Sequence, residues 1–297
     1  MTGADPHRDL GLAFAGGGNR AFYQYGLMER WWPRLAPRVA AIAACSAGAC
    51  VVAMLLSGRR SAARDVFQRR TRDLSRNLDW RNLLHGRSLA PHGEILRDVL
   101  VTIGSDGGLD RIRACAVPVD VLSSRFPEVL GPGLAAAVGI VGYQLEKALR
   151  PEMLHPRAGR ALGFEPEVTD MRECSSPEEL ADLVLASSAT PPFTPVGRFR
   201  ARRLLDGGLV DNVPAFVAER HPAVRRTIVL LTRPYAPRVL GRRDRRLYLA
   251  PSGPTPSGRW DYTRPDALED TVAMGEAEAA LHQPALDAFL DTSFADC

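Results

Sequence analysis

Ser46 has the neighbours that a reactive serine needs. It lies in Ala-Cys-Ser-Ala-Gly, between an apolar run that predicts a buried strand, Val39–Cys45, and one that predicts a buried helix, Ala47–Ser57. Small residues around such a serine are typical of the nucleophile elbow G-x-S-x-G, whose tight turn exposes the hydroxyl. Gly48 fits this pattern, whereas position 44 is Ala where the pattern has Gly. Such a serine can attack an acyl carbonyl if a base and an oxyanion site lie nearby.

Three consecutive glycines could supply the oxyanion site. They follow an apolar run at residues 10–15 and precede helical spacing at residues 19–32, so the sequence predicts a strand, a loop and a helix. The first N–H groups of a helix have no partner within it and carry positive partial charge, and glycines let a ligand approach them closely. The loop Gly16-Gly17-Gly18 therefore indicates a place where the oxyanion of a tetrahedral intermediate could bind, with Arg20 reinforcing it.

The same glycines leave nucleotide binding open as an alternative. Gly16, Gly18 and Ala21 satisfy G-x-G-x-x-A, the dinucleotide-binding fingerprint. That fingerprint needs an acidic residue at the end of the next strand, and no Asp or Glu occurs between Glu29 and Arg59. The G-K-[ST] of a phosphate-binding loop is also absent. These departures favour a reaction site over a nucleotide site.

The base that would activate Ser46 is harder to find. No histidine lies in a convincing turn context; the histidines are His7, His85, His92, His155, His221 and His282. Two Asp-Gly-Gly sequences, beginning at Asp106 and Asp206, offer carboxylates instead, and each alone is typical of a turn. The second has distinctive surroundings, because it lies in L-L-D-G-G-L-V-D-N-V-P (204–214) and follows A-S-S-A-T-P-P-F (186–193).

Together these segments resemble the patatin-like phospholipase family. Residues 16–20, Gly-Gly-Gly-Asn-Arg, are similar to its G-G-G-x-[RK] oxyanion motif, and residues 45–48 to its elbow without the first glycine. Residues 186–193 resemble its A-S-x-A-x-P-x-F block, and residues 206–214 its D-G-[GA]-x-x-x-N-x-P block. Each block is weak alone, but four in the family's order, within residues 10–215, are specific.

The resemblance implies a function and a site. The family hydrolyses acyl esters of lipids without a metal or other cofactor. Ser46 would be the nucleophile and Asp206 its base, with no histidine needed, and burial near the sheet should raise the pKa of Asp206. The other positions carried over are the oxyanion loop with its arginine, and the residues that support the elbow and the Asp206 turn: Gly16, Gly17, Gly18, Arg20, Gly48, Gly207, Gly208 and Asn212. We expect Asp106 to be a structural turn, Asp211 a loop residue, and Cys45 to point away into packing.

The resemblance also implies a three-layer α/β/α fold with a mostly parallel central sheet. The residues favour it too, since strand-like runs alternate with helical segments and such sheets bind ligands at the carboxyl ends of their strands. Pro33 should end the first helix, and the last helix is one segment or two with a break near Pro284. Further expectations are strands at 114–122 and 226–231, helices at 133–149, 177–188 (capped by Ser176) and 267–289, and loops at 150–168 and 233–263.

Composition sets broad limits on the protein. The 297 residues, 45% hydrophobic and 24% charged, fit one catalytic domain over residues 1–297, with the motifs in 10–215 and a strand, a loop and helices in 216–297. The net charge of +4 and a pI near 9.0 permit attraction to anionic surfaces without requiring nucleic acid as a partner. The sequence does not specify an oligomeric state.

Cysteines and apolar runs indicate the compartment. The cysteines are odd in number and scattered, so we expect free thiols and no metal site; they are Cys45, Cys50, Cys115, Cys174 and Cys297. Residues 39–58 carry no charge and are long enough to span a membrane, but the small residues around Ser46 favour a strand, a turn and a helix. Residues 1–9 are polar and lack the apolar core of a signal peptide. We expect a cytoplasmic protein; peripheral contact with the membrane and export without a signal peptide are the alternatives.

Two sets of residues bear on the access of lipid to the predicted site. The helix at 133–149 and the Trp31-Trp32 pair predict either ordinary core packing or an apolar mouth or lid. The run from Arg242 to Arg246 predicts either a solvated loop or contact with anionic headgroups.

Three rival functions stay open. They are a thioesterase or small-ester esterase, a non-catalytic protein that binds lipid or another protein, and a nucleotide-binding protein.

Overall fold

A mixed β-sheet forms the centre of the protein. The structure is a computed structural model that describes residues 7–85 and 88–292. Within those ranges the sheet has nine strands: β1 (Leu10–Phe14), β2 (Val39–Cys45), β3 (Val119–Arg125), β4 (Glu165–Asp170), β5 (Gly197–Phe199), β6 (Arg202–Asp206), β7 (Arg226–Leu230), β8 (Gly241–Arg243) and β9 (Arg246–Leu249).

The strands run in the order β5-β6-β3-β2-β1-β7-β9-β8, and β4 pairs with β3 beside this path. The five strands β3, β2, β1, β7 and β9 are parallel to one another. Antiparallel pairing occurs only toward the edges among the described strands, where β4 and β6 pair with β3, β5 with β6, and β8 with β9. The prediction of a mostly parallel sheet is confirmed.

Both faces of the central strands are buried. Along β1, Leu12 and Phe14 pack into one apolar core, whereas Ala13 packs into another on the opposite face. Along β2, Ile42 packs into the same core as Leu12, whereas Ala43 packs into a core on the opposite face. Successive side chains of a strand point to opposite faces. Strands covered twice need apolar residues at every position, which explains the uninterrupted apolar runs in the sequence.

Helices cover the two faces and complete three layers. The larger core contains residues of α1, α2, α5, α9 and α12, while α11 packs on the other face of the sheet and α7 and α10 form a core beside it. The helices are α1 (Phe22–Leu35), α2 (Ala47–Ser57), α3 (Arg60–Thr71), α4 (Arg81–Leu84), α5 (His92–Gly104), α6 (Gly108–Arg113), α7 (Pro132–Leu149), α8 (Ala158–Ala161), α9 (Pro177–Ser187), α10 (Gly208–Asp211), α11 (Ala215–Ala218) and α12 (Asp266–Asp291). Short 3₁₀ turns add Gly18–Ala21, Met171–Glu173 and Pro237–Val239.

The elements next to Ser46 were predicted correctly, whereas the prediction that Pro33 ends the first helix was wrong, and of the two alternatives for the last helix the single segment is the one observed. β2 and α2 have the predicted bounds, and Gly58 ends α2 with a left-handed φ of 64°. Pro33 lies inside α1, which continues to Leu35, and Pro284 lies inside one unbroken α12. α1 and α12 pack along each other, so tertiary contact outweighs the local cost of each proline.

Regions expected to be loops contain edge strands. Residues 150–168 include α8 and most of β4, and residues 233–263 include the β8–β9 hairpin. The predicted strand at 114–122 begins later, at Val119, and extends to Arg125. β4 and β8 are partly exposed edge strands without an apolar face, so hydrophobic periodicity gave no sign of them. The Arg242–Arg246 run is the hairpin itself, and Glu219 forms ion pairs with two of its arginines.

Candidate active site

The carboxyl ends of β1 and β2 bring the glycine loop, Gly16 to Gly18, next to Ser46. β1 and β2 are adjacent and parallel, so the loop after one lies beside the turn after the other. A Cβ on Gly16 would lie 3.0 Å from the Cβ of Ser46. Glycine at position 16 thus permits the loop to approach the serine.

Ser46 occupies a strained turn between β2 and α2. Its φ of 54° and ψ of −129° are unusual for a residue with a side chain, as expected for a nucleophile elbow. A Cβ on Gly48 would lie 2.6 Å from the carbonyl oxygen of Phe14, so α2 can begin this close to β1 only with glycine there. Ala44, the departure from the elbow pattern, is a regular buried position of β2 without a positive φ, and its methyl group is accommodated.

Ser46 and Asp206 are in direct contact. The Ser46 hydroxyl donates a hydrogen bond of 3.1 Å to Oδ2 of Asp206, which ends β6. The other carboxylate oxygen, Oδ1, accepts the N–H of Gly208 at 2.7 Å. Ser46 and Asp206 are only 7% and 5% exposed, so both side chains are largely shielded from solvent. This contact is the arrangement that a serine nucleophile and its base require.

Burial changes the acidity of Asp206. It raises the pKa of this carboxyl above its ordinary value, because the charged form loses its hydration. The positive charge of Arg259 and hydrogen bonds from Gly208 and Ser46 oppose that effect. The direction agrees with the sequence-based expectation and makes Asp206 a stronger base than an exposed carboxylate once it is ionised.

The segment at Ser187 to Ala189 joins Ser46 to Asp206. Ser187 Oγ accepts the N–H of Ser46 at 2.8 Å and donates to the carbonyl of Leu122 in β3 at 2.6 Å. The carbonyl of Ala189 accepts the N–H of Asp206 at 2.8 Å. The sequence singled out this block only as a resemblance; its role as a bridge becomes visible only in three dimensions.

Hydrogen bonds hold the carbonyl groups of the glycine loop. Gly16 and Asn212 pair in both directions, with the Gly16 N–H on the Asn212 carbonyl at 3.1 Å and Asn212 Nδ2 on the Gly16 carbonyl at 3.0 Å. Thr232 Oγ1 also donates to the Gly16 carbonyl, at 2.9 Å, and Arg20 Nε donates to the carbonyl of Gly17 at 3.1 Å. The N–H of Gly16 is therefore engaged, and this residue is the anchored end of the loop.

The next two N–H groups of the loop are uncommitted. Within the described residues, the N–H groups of Gly17 and Gly18 donate no hydrogen bond. Gly18 has a left-handed φ of 60°, and a Cβ there would overlap the carbonyl of Arg259. That same carbonyl accepts the N–H of Asn19 at 3.2 Å. Residues near position 259, which carry no recognisable motif, thus cover the glycine loop.

Three other residues differ from expectation or sit apart from the site. Cys45, expected to point away, is fully buried but has its thiol 3.9 Å from Asp206 Oδ1, and burial together with that carboxylate raises the thiol pKa well above its usual value. Asp211, expected in a loop, is buried at the end of α10 and contacts His155 Nδ1 at 2.8 Å. Asp106 lies in an exposed turn and pairs with Arg59, as expected for a structural residue.

Comparison with known proteins identifies the family. The family model described as patatin-like phospholipase matches residues 12–219. The chain belongs to the patatin-like phospholipase family. A search of curated proteins finds no match. Among solved structures, VipD from Legionella pneumophila is 12% identical, with a TM-score of 0.46 over 96% of this chain and 67% of that chain.

Membership in the patatin-like family confirms the resemblance found in the sequence and weakens the nucleotide-binding alternative. The loop that satisfied the dinucleotide fingerprint is closed over by Arg259 and Thr232, which lie beyond the matched residues. No histidine in the described parts of the chain hydrogen-bonds to Ser46 or Asp206. Among the described residues, the contact between Ser46 and Asp206 therefore involves no histidine.

The two predicted apolar access segments have different surroundings. Trp31 is buried and donates from Nε1 to Gln283, and Trp32 packs on the same core, so the pair belongs to the α1–α12 contact. In α7, large apolar side chains at helical spacing face solvent. We call them the apolar stripe; with their exposed fractions they are Leu134 (58%), Val141 (57%), Leu145 (61%) and Leu149 (82%). The opposite side of α7 packs near Leu209, just after Asp206.

Several predictions concern the whole chain. No helix in the described ranges is both long and apolar enough to cross a membrane, and residues 39–58 are a strand, a turn and a helix. No group of three or more His, Cys, Asp or Glu residues that could hold a metal occurs in 7–85 or 88–292. Cys45, Cys50, Cys115 and Cys174 are free thiols. Cys297 and residues 1–6 of the predicted leaderless start lie outside the described residues.

Proposed function

We propose that the protein is a lipid acyl hydrolase of the serine-esterase type, with a Ser46–Asp206 dyad. The observation that carries this proposal is the 3.1 Å hydrogen bond from the Ser46 hydroxyl to Asp206, at a strained strand-to-helix turn beside a loop with two uncommitted N–H groups. A merely structural serine would not need its strained φ or a buried carboxylate. Membership in the patatin-like phospholipase family supports lipid acyl esters as the substrate class.

The chemistry divides into two acyl transfers. In the first, ionised Asp206 accepts the proton of Ser46 as Oγ attacks the ester carbonyl, and a tetrahedral oxyanion forms. The N–H groups of Gly17 and Gly18 stabilise that oxyanion, while Arg20 keeps the loop in place through the Gly17 carbonyl. As the C–O bond breaks, Asp206 gives its proton to the departing alcohol or lysolipid. An acyl-Ser46 ester remains.

The second transfer releases the fatty acid. A water molecule gives a proton to Asp206 and attacks the acyl-Ser46 carbonyl, and the resulting oxyanion occupies the same N–H groups. Collapse of the intermediate restores the Ser46 hydroxyl with the proton held by Asp206. The same carboxylate serves both halves because it is the only titratable group, among the described residues, that hydrogen-bonds to Ser46 Oγ.

The apolar stripe of α7 supports peripheral contact with a lipid surface. Its four large side chains are on the solvent side of a helix whose other side packs beside the Asp206 turn. Apolar side chains on the outward face of a surface helix are unusual for a helix surrounded by water alone. We therefore include interfacial binding through this stripe in the proposal: it would bring the site to aggregated lipid.

Covalent labelling of the serine tests the proposal. The purified protein is treated with a fluorophosphonate probe, and the adduct is located by mass spectrometry. We expect an adduct on Ser46 that is lost in Ser46→Ala and sharply reduced in Asp206→Asn. Asp106→Asn is a matched control, because it alters the other Asp-Gly-Gly sequence and should label like the parent.

Two results would contradict the proposal. Labelling of Asp206→Asn at the parent rate would exclude that carboxylate as the base. No adduct on the folded parent, in detergent as well as buffer, would favour a non-catalytic lipid- or protein-binding member of the fold. If Ser46 is labelled, hydrolysis of matched esters and thioesters of increasing chain length separates a lipid hydrolase from a thioesterase or a small-ester esterase.

A further inference from the structure

A one-turn helix connects the proposed base to the residue that anchors the glycine loop. α10 begins two residues after Asp206 and ends at Asp211, and Asn212 follows directly. Asn212 exchanges hydrogen bonds with both backbone groups of Gly16. A displacement of α10 would therefore shift the anchored end of the loop whose uncommitted N–H groups would bind the oxyanion.

The buried carboxylate of Asp211 holds the end of α10. Its Oδ1 accepts the N–H of Val213 at 2.9 Å, a hydrogen bond that brackets Asn212. Its other oxygen, Oδ2, lies 2.8 Å from Nδ1 of His155. Asp211 thus uses one oxygen to fix the backbone around Asn212 and the other to fix α10 to His155.

The imidazole of His155 is held on both sides. Its Nε2 lies 2.9 Å from the hydroxyl of Tyr248 and 3.2 Å from Nη1 of Arg246. A guanidinium can only donate, so the hydrogen bonds assign Nε2 as the acceptor and place the proton that Asp211 accepts on Nδ1. Arg246 is itself held by both carboxylate oxygens of Glu219. The ring therefore joins α10 to β9 in one orientation.

The helix α8, which follows His155 in the chain, also packs on α10. A Cβ on Gly159 would lie 1.6 Å from the carbonyl oxygen of Leu209, so the two helices touch through their backbones. His155 lies between the blocks of the family motif, and Asp211 occupies a position that the D-G-[GA]-x-x-x-N-x-P block leaves unspecified. The support of α10 is thus built by residues that the motif does not include.

We infer that His155 is a positioning residue of the glycine loop, which it holds in place through Asp211, α10 and Asn212. Among the described residues, His155 hydrogen-bonds to neither Ser46 nor Asp206, so it acts through Asp211 and not on the reacting atoms. The inference rests on the proposed hydrolase function, because it concerns the loop that would stabilise the oxyanion. Loss of the contact should lower kcat more than it changes KM, since the oxyanion forms only during the reaction.

Two substitutions of His155 separate the two sides of the ring. The amide of His155→Asn places an N–H near the position of Nδ1 and can still donate to Asp211. The longer amide of His155→Gln reaches the position of Nε2, where it can accept from the donors there, but it leaves Asp211 without its own donor.

A second histidine provides a matched control. His221 contacts a buried aspartate, Asp120, at 2.7 Å through Nε2, and among the described residues it forms no hydrogen bond with α10 or the glycine loop. The side chains of His221 and Asp120 are 28% and 8% exposed, which matches the 31% and 9% of His155 and Asp211. The control variant, His221→Asn, therefore removes a similar contact elsewhere.

Turnover of a monomeric short-chain ester and the melting temperature are measured for the three variants. We expect His155→Gln to lower kcat by about tenfold to a hundredfold with little change in KM, since small displacements of groups around the reacting atoms cost rates of that order. His155→Asn should keep most of the parent kcat, as should His221→Asn. The parent kcat in His155→Gln, or equal losses of kcat in both His155 variants, would overturn the inference.

Hydrogen exchange of the glycine loop separates this inference from the proposed function. Exchange is followed by mass spectrometry in peptides that contain residues 16–20, and it requires no catalysis. We expect faster exchange in His155→Gln than in the parent, His155→Asn or the control, because the carbonyl of Asn212 protects the N–H of Gly16. Faster exchange would support the inference even if Ser46 proved unreactive, whereas the parent rate in His155→Gln would contradict it even if Ser46 reacts.

Discussion

Two walls of the active site are built in opposite ways. On the wall formed by the elbow and the Asp206 turn, a Cβ on Gly48 or Gly207 would run into the backbone of a neighbouring strand or its following loop. At the start of α7, Gly131 and Gly133 have nothing within 4 Å of the same position. The first wall is fixed by backbone contact, and the second exposes an apolar surface. In the proposed function, catalysis would depend on the first wall and contact with lipid on the second.

Glycine substitutions test this difference most severely. Gly48→Ala places a methyl group against the carbonyls of Phe14 and Ala15, which cannot move without shifting β1. We expect it to lose nearly all labelling of Ser46 and to lower the melting temperature. Gly133→Ala, in open space, should label normally and melt at the same or a slightly higher temperature.

Calorimetry and fluorophosphonate labelling of the two glycine variants test whether backbone contact at Gly48 holds the elbow in place. If Gly48→Ala behaves like Gly133→Ala, the close approach of α2 to β1 is not what holds the elbow, and the contrast between the walls fails.

Ser187→Ala should have the next largest effect. It leaves the N–H of Ser46 and the carbonyl of Leu122 without their partner, and unsatisfied buried groups of this kind cost about 1–3 kcal/mol of unfolding free energy. Labelling of Ser46 should slow, because the elbow loses its tie to the Asp206 segment. Ser188→Ala removes only a bond to the Val184 carbonyl within its own helix, and it should change neither property appreciably. Urea unfolding and labelling rates would show whether the neighbouring serines differ.

The pH dependence of labelling should reveal the buried base. Asp206 must be ionised to accept a proton, so labelling should fall as the pH drops through its pKa, which burial has raised above that of an ordinary aspartate. Arg259 lowers this pKa, so Arg259→Gln should move the acid limb to higher pH. A limb that stays in place would mean that another group controls it.

Stability should change with pH in the opposite sense. Because the folded-state pKa of Asp206 is raised, the folded protein holds this proton more tightly than the unfolded chain does. Its contribution to stability is then fully present below the unfolded pKa and is lost as the pH rises through the folded pKa. Asp206→Asn should therefore be at least as stable as the parent at neutral pH while labelling poorly; a large loss of stability would contradict this.

The smallest effect on the fold is expected on the α7 wall. Val141→Ser/Leu145→Ser replaces two solvent-facing side chains of the apolar stripe, so the melting temperature and hydrolysis of monomeric esters should be unchanged. Sedimentation with lipid vesicles should weaken, since apolar area is removed from the contact. Trp31→Phe lies in the α1–α12 packing and should not affect vesicle binding. Unaltered sedimentation of the stripe variant would show that the apolar stripe of α7 does not contribute to vesicle binding.

How far the sequence could predict the structure depended on the range of the interactions. The bounds of β2 and α2 were predictable because each is set by its own apolar run and by Gly58. Pro33 misled and Pro284 left the last helix undecided, because the contact between α1 and α12 is made by residues about 250 positions apart, which no local rule includes. The edge strands β4 and β8 were missed because they have little apolar side-chain signal.

The site shows the same limit. Ser46 and Asp206 could be proposed from motifs, since each motif is short and local, and the resemblance joined them. The anchoring of Gly16 by Thr232 and the covering of the loop by Arg259 come from the chain beyond the matched residues, where no pattern marks them. The bridging role of Ser187 could not be predicted, because it depends on how the end of α9 lies relative to the Ser46 turn and to Leu122 of β3.

The covering of the glycine loop has a consequence for protein synthesis. A ribosome that has translated residues 1–219 has made the whole matched segment, including Ser46 and Asp206. The partner of the Asn19 N–H, at Arg259, and the hydroxyl that anchors Gly16, at Thr232, do not yet exist. The glycine loop can reach its final form only when residues 232 and 259 have been added. If the proposed function is correct, the nascent chain should not react with acyl esters before residue 259 has been added.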